Sequence, residues 1–109
     1  MPENQNDFKK LLSMLKKHLK KVYGKRLGKM ILYGSWARGE QNENSDIDIL
    51  MVLDDFKSVY EEISRVSPIV SDISQKYDTL IGLVPCRQND FENESELLYK
   101  NVKREGVLQ

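Results

Sequence analysis

The stretch Gly34-Ser35-Trp36-Ala37-Arg38-Gly39, followed after a short polar segment by Ser45-Asp46-Ile47-Asp48-Ile49, is the most informative part of this 109-residue sequence. The apolar run before it stops at Gly34, which predicts a strand that leads into a Gly-Ser turn. A second apolar run begins at Ile47 and carries two carboxylates two residues apart. The pattern predicts two strands joined by a polar loop, with the polar chemistry confined to one end of the second strand.

Apolar periodicity over the rest of the chain predicts a small α/β (α+β) domain. Alternation predicts strands over 29–33, 47–53 and 80–86, and steps of three and four residues predict helices over 8–22, 57–75 and from Ser95 to Gly106. We expect a small mixed β-sheet with helices packed on one face, formed by a single domain over 1–109. In the second strand, alternation places one set of side chains on a wholly apolar face: Ile47, Ile49, Met51 and Leu53.

Composition excludes several classes of protein. The 17 basic residues balance the 17 acidic ones, so a nucleic-acid partner is not indicated, and the lysine-rich first helix is interpreted as a solvated face. A single cysteine and a single histidine argue against an intrachain disulfide and a zinc site. The sequence has neither an 18-residue apolar run nor an apolar signal region, which predicts a cytoplasmic protein without a membrane partner.

The two carboxylates predict a cation site. Asp46 and Asp48 lie side by side on one face of a strand, where their charges repel. A divalent cation relieves that repulsion, and Mg²⁺ commonly binds one or two carboxylates together with substrate phosphates. Two such ions can stabilise the attacking and leaving oxygens of a displacement at phosphorus.

The Gly-Ser turn predicts a phosphate site beside the carboxylates. Gly34 lets the backbone approach an anion closely, and a short helix that begins at Ser35 would direct free N–H groups at it. Arg38 is a candidate for steering a triphosphate or for anchoring the loop to an acidic partner. Each element alone is weak evidence, and the sequence lacks the spacing of an EF-hand loop and the lysine of a P-loop.

The joint motif Gly34-Ser35-x-Ala37-Arg38-Gly39 … Ser45-Asp46-x-Asp48-Ile49 resembles the signature of the DNA polymerase β-type nucleotidyltransferase superfamily, and the chain resembles its minimal nucleotidyltransferase (MNT) branch. The resemblance implies nucleotidyl transfer from ATP or another nucleoside triphosphate with two Mg²⁺ ions. By it, Asp46 and Asp48 are catalytic metal ligands, and four motif residues bind the nucleotide: Gly34, Ser35, Arg38 and Ser45.

The resemblance also implies a third carboxylate, on a following strand, that binds a metal and helps to deprotonate the acceptor. Asp78, just before the predicted third strand, is the candidate for this catalytic and metal-binding role. With the predicted strand register, the family's position falls instead at Leu80, two residues after Asp78 and on the same face of the strand. Asp72 is a poorer candidate because it lies in a predicted helix.

Larger relatives carry an acceptor-binding domain for which 109 residues leave no space, so the resemblance implies a protein acceptor. MNT proteins pair with HEPN-domain toxins, and the leading hypothesis is an antitoxin that transfers AMP to a hydroxyl of such a toxin. Two alternatives stay open: a non-catalytic, nucleotide-binding antitoxin that acts by contact, and a small-molecule nucleotidyltransferase whose acceptor site is built by homo-oligomerisation.

Overall fold

A computed structural model describes residue 2 and residues 4–109. The predicted domain covers 1–109, and residues 1 and 3 lie outside the described residues. Its elements are, in chain order, α1 (Gln5–Tyr23), a 3-10 turn (Gly24–Arg26), β1 (Leu27–Tyr33), α2 (Ser35–Arg38), β2 (Ile47–Leu53), α3 (Val59–Tyr77), β3 (Ile81–Arg87), α4 (Gln88–Glu92), α5 (Leu97–Glu105) and β4 (Val107–Leu108). The predicted order of elements and the mixed α/β class are confirmed. Helix α4 and strand β4 were not anticipated, because both are too short to show periodicity. Among the described residues, no helix has the length and apolar character needed to cross a lipid bilayer.

The four strands form one mixed sheet in the order β3-β2-β1-β4. Strand β1 is antiparallel to both β2 and β4, whereas β2 and β3 are parallel and are joined through α3. A parallel pair requires such a long crossover connection. Strand β3 lies at a sheet edge, and this position accommodates Pro85, which has no N–H to donate.

Helices α1 and α3 pack on one face of the sheet. The four residues of β2 that alternation assigned to the apolar face are completely buried there: Ile47, Ile49, Met51 and Leu53. In α1, the predicted apolar residues from Phe8 to Leu19 are buried, but Val22 is 40% exposed and Tyr23 takes its place. Gly24 ends α1 with φ 56°, as the sequence predicted.

The expectation of helices on one face holds for the two long helices and needs correction for the C-terminal pair. Helices α4 and α5 pack on the opposite face, where a second cluster is buried: Ile31, Leu50, Val52, Cys86, Phe91, Tyr99 and Val102. The β2 residues of this cluster, Leu50 and Val52, lie on the same face of the strand as Asp48. Since α4 and α5 cover the apolar part of that face, its polar end is the part left open.

The start of helix α3 departs from the sequence-based prediction, whereas the predicted residues Val66 and Ile73 are buried and Val70 and Tyr77 pack against the core. Val59 and Ile63 are 43% and 45% exposed, whereas Glu62 is only 2% exposed. Glu62 accepts hydrogen bonds from the Tyr23 hydroxyl, at 2.7 Å, and from the Arg65 guanidinium. A buried carboxylate is tolerated when such partners satisfy it. Burial, the hydrogen bond to Glu62 and the charge of that carboxylate together raise the pKa of Tyr23 to about 12.

Tyr23→Phe is expected to lower the free energy of unfolding by about 1–3 kcal/mol, because it removes a hydrogen bond to a buried carboxylate. Urea denaturation at pH 7 measures the change. Tyr60→Phe is the matched control, since Tyr60 lies on α3, the helix of the partner Glu62, and is 78% exposed.

The difference between wild type and Tyr23→Phe is expected to shrink as pH rises from 10 to about 12. A raised pKa in the folded state gives stability that is fully present below the unfolded pKa and is lost as pH rises through the folded one. Equal stability of Tyr23→Phe and Tyr60→Phe would contradict the proposed role of the hydrogen bond.

Candidate active site

The polar end of the sheet is a single row of residues across three strands. Asp48 on β2 pairs with Tyr33 on β1 and with Gly82 on β3. All three positions lie on the face that α4 and α5 cover farther along the strands. The next row inward is apolar and consists of Ile31, Leu50 and Val84. One carboxylate therefore lies where an apolar sheet face opens to solvent.

The Gly-Ser turn lies directly against Asp48. Gly34 has φ 75°, a conformation that L side chains rarely adopt. A Cβ atom at this position would overlap Oδ2 of Asp48 and lie 3.2 Å from its Cγ. Glycine is therefore required twice, by the backbone conformation and by the approach of the carboxylate.

Helix α2 is the single turn that the sequence predicted after Gly34. The Gly34 carbonyl accepts hydrogen bonds from the amides of Ala37 (3.1 Å) and Arg38 (3.2 Å). The amides of Ser35 and Trp36, at the first positions of the helix, have no carbonyl four residues earlier within the helix to donate to. Since Gly34 lies against Asp48, α2 begins close to this carboxylate.

Electrostatics distinguish the two carboxylates. Asp46 is exposed just before β2, whereas Asp48 is partly buried. Burial raises the pKa of the Asp48 carboxyl above its usual value, and the charge of Asp46 raises it further, while the Arg38 guanidinium lowers it. The pair is thus a concentration of negative charge that a cation would stabilise.

Tyr33 is a site residue that sequence reasoning missed. Its ring is half-buried beside Asp48, and burial together with the Asp48 charge raises the pKa of its hydroxyl. The only sequence signal was its place immediately before Gly34. Its proximity to Asp48 depends on strand register, which the sequence does not specify.

Arg38 and Ser45 have contacts within the protein. Arg38 forms an ion pair with Glu40 at 3.1 Å and a longer one with Glu105 at 3.8 Å, so it links the loop to the end of α5. The Ser45 hydroxyl accepts a hydrogen bond from the Asn42 amide at 2.9 Å. Both residues hold the 39–46 loop, and Arg38 also acts electrostatically on Asp48.

Trp36 anchors the same loop. Its ring stacks on Phe8 of α1 with centroids 4.4 Å apart, and its indole N–H approaches the Ser45 carbonyl at 3.4 Å. Packing, rather than base stacking, is therefore the role that its contacts indicate.

Asp78 lies apart from the row that contains Asp48. It ends α3 in a left-handed conformation with φ 48° and, together with Asp46, lines a cleft of about 640 Å³ between α3 and the 39–46 loop. Residues 2 and 4–109 contain no group of three or more His, Cys, Asp or Glu side chains arranged to hold a metal ion. The strand position opposite Asp48 is Gly82, not Leu80. The structure thus brings together Gly34, Ser35, Asp46 and Asp48, and places Asp78 outside the row of Asp48, in a cleft that it shares with Asp46.

Gly34→Ala is expected to displace the Asp48 carboxylate, whereas Gly39→Ala is not. Both glycines have positive φ, 75° and 72°, so each alanine variant is expected to lose about 1 kcal/mol from backbone strain. Only at Gly34 does the added methyl group meet Asp48; at Gly39 nothing lies within 4 Å. NMR of the side-chain carboxyl carbons and urea denaturation measure the two effects. An unchanged Asp48 resonance in Gly34→Ala would contradict the contact.

Asp48→Asn is expected to be more stable than wild type at pH 7. Because the folded pKa of Asp48 is raised, its contribution to stability is present at low pH and is lost as pH rises through that pKa. The neutral amide does not undergo this loss. Thermal unfolding from pH 3 to 7 should show the advantage of Asp48→Asn growing with pH, and a parallel pair of curves would refute the assignment.

The family and the relatives of the chain agree with this geometry. The family model for a nucleotidyltransferase domain matches residues 12–108. Two similar proteins of Methanocaldococcus jannaschii are each named a putative protein adenylyltransferase. One is 36% identical over 81% of this chain and 83% of the relative. The other is 33% identical over 66% of this chain and 72% of the relative.

Solved structures share the fold. A crystal structure of a toxin-antitoxin with AMP-PNP has a TM-score of 0.61 at 24% identity, covering 86% of this chain and 68% of that one. A crystal structure of a putative nucleotidyltransferase from Sulfolobus solfataricus has a TM-score of 0.60 at 19% identity, covering 99% and 89%. With the motif, the sheet and the family match in agreement, this chain belongs to the nucleotidyltransferase domain family.

Proposed function

We propose that this chain transfers a nucleoside monophosphate, AMP from ATP, to a hydroxyl group of a partner protein. The observation that carries the proposal is the position of Asp48, at the open end of β2, directly against Gly34 and within reach of the charge of Asp46. A carboxylate pair beside a backbone turn that starts a helix matches the two chemical demands of a triphosphate bound with a cation.

The residues present fit a divalent cation. Asp46 and Asp48 offer hard oxygen ligands. Burial, and then the charge of Asp46, raise the pKa of Asp48, and a bound cation would offset both penalties on the charged carboxylate. In this proposal Asp46 and Asp48 hold Mg²⁺, while Gly34 and Ser35 contact the triphosphate. When bound, Mg²⁺ would supply positive charge that stabilises the negative charge developing on the phosphate oxygens.

The proposed reaction exchanges one bond to phosphorus for another. The acceptor hydroxyl oxygen forms a bond to the α-phosphorus, and the bond from this atom to the α–β bridging oxygen breaks. Pyrophosphate leaves, and the hydroxyl proton is lost to solvent. Arg38, which already acts on Asp48, lies where it can steer the incoming triphosphate, and Ser45 fixes the loop that carries Asp46.

The proposed acceptor is a HEPN-domain toxin, with this chain as its antitoxin. Two observations support a protein acceptor: the names of the Methanocaldococcus relatives as protein adenylyltransferases, and the fold shared with toxin-antitoxin structures. In this proposal residues 1–109 act as one minimal nucleotidyltransferase domain, and the partner supplies the acceptor side of the site.

A second candidate function is neutralisation by contact, without transfer. It is favoured by one observation, which is that the strand position opposite Asp48 is Gly82 rather than an acidic residue. A site with two carboxylates binds a nucleotide with a cation in the same way, whether or not transfer follows.

Incubation with ATP labelled at the α-phosphate, Mg²⁺ and the product of any HEPN-domain gene adjacent to the gene for this chain tests the proposal. The expected result is label on the partner, reduced about 100-fold or more by Asp46→Ala combined with Asp48→Ala, because several kcal/mol of charge stabilisation are lost. ATP labelled at the γ-phosphate should leave the partner unlabelled.

The matched control removes two carboxylates from the other end of β2. Asp54 and Asp55 follow the last residue of the strand and pair with Arg26 and Arg87, away from the Gly-Ser turn. Asp54→Ala combined with Asp55→Ala should keep transfer. Toxin neutralisation that survives loss of Asp46 and Asp48, without any labelling, would replace the transferase proposal with the contact mechanism.

A further inference from the structure

Gly82 occupies the one position on β3 that pairs directly with Asp48. Paired residues of neighbouring parallel strands point to the same face of a sheet. A Cβ atom built on Gly82 would lie 3.3 Å from Oδ1 of Asp48. A side chain at this position would therefore reach the Asp48 carboxylate, and in this chain there is none.

The backbone does not demand glycine at this position. Gly82 lies inside a regular strand, and unlike Gly34 it does not have a φ in the left-handed range. A Cβ atom at 3.3 Å from a carboxylate oxygen requires a shift of only a few tenths of an ångström. Gly82 therefore matters mainly because it provides no side chain that could bind a cation beside Asp48.

Asp78 lies outside the row that Asp48 and Gly82 share. It precedes β3 and, together with Asp46, lines the cleft beside α3. Within the part of the chain that the structure describes, three metal-ligating side chains are not gathered in one place. The protein thus offers two carboxylates, of which Asp46 is exposed.

We propose that Gly82 makes cation binding by this site depend on the nucleotide: Asp46 and Asp48 alone hold a divalent cation weakly, and the triphosphate supplies the ligands that a side chain at position 82 would otherwise add. The proposal rests on the proposed function for the identity of the ligands, a nucleoside triphosphate and a divalent cation. Its physical basis is ligand number, because affinity for a hard cation rises with the count of charged oxygen ligands.

Mn²⁺ binding to the full chain, followed by electron paramagnetic resonance, tests the proposal without any transfer reaction. The probes are Mn²⁺ alone and Mn²⁺ with α,β-methylene-ATP, which cannot be cleaved between its α- and β-phosphates. Wild type is expected to bind Mn²⁺ about tenfold or more tightly when the analogue saturates the protein, after correction for Mn²⁺ bound to free analogue.

Gly82→Asp is expected to gain about tenfold in affinity for Mn²⁺ alone, because it adds a carboxylate next to Asp48. Gly82→Asn is the matched control, since it adds nearly the same volume without charge and should bind Mn²⁺ alone as weakly as wild type. Thermal unfolding of each variant, with and without Mn²⁺, checks that it is folded and gives a second measure of binding.

Four outcomes would overturn the proposal. Tight binding of Mn²⁺ to wild type without nucleotide would overturn it and leave the proposed transfer standing. Weaker Mn²⁺ binding by Asp78→Asn would show that Asp78 is a third ligand. Folded Gly82→Asp that binds Mn²⁺ no better than Gly82→Asn would show that position 82 does not reach the cation. Loss of Mn²⁺ binding even with the analogue would overturn this inference and the proposed function together.

Discussion

Strand β2 lies between β1 and β3, and its seven residues alternate between the two faces of the sheet. One face packs under α1 and α3, and the other carries the site at its open end. On one face Ile47 and Ile49 are completely buried under α1 and α3. On the other face Asp48 lies at the open end of a row whose inner neighbours are apolar. A slip of one residue in register would turn Asp48 towards the core under α1 and α3, so the fold and the site depend on the same pairing.

The charged carboxylate of Asp48 lowers the stability of the folded protein, and the same charge suits the residue to bind a cation. Asp48 is partly buried beside a second negative charge, and its raised pKa records that cost. Gly34 and Gly82 let the carboxylate lie directly against the backbone of two neighbouring strands. A carboxylate held in this way is pre-positioned for a cation, and the ordered protein around it carries the electrostatic penalty until one binds.

The surrounding elements hold this arrangement without entering it. Trp36 stacks on Phe8 and fixes α2 against α1, while Arg38 links the loop to Glu105 at the end of α5. The loop that carries Asp46 is thus attached to helices on both faces of the sheet. The site is consequently built at the junction of the two layers.

The sequence by itself determined the local features. Alternation in residues 47–53 was enough to predict β2 and the faces of its side chains, and the motif from Gly34 to Asp48 was enough to indicate the family. Gly24 and Gly106 marked the ends of two helices, because a helix end is a property of a few consecutive residues.

Only the tertiary structure decided which distant residues meet. The candidates Asp78 and Leu80 were chosen by sequence position, but the parallel register places Gly82 opposite Asp48. Glu62 similarly lies outside the apolar positions predicted for α3, but the packing of α3 on α1 buries it against Tyr23. Strand register and the burial of individual helix residues arise from contacts between segments far apart in the chain, so no local pattern specifies them.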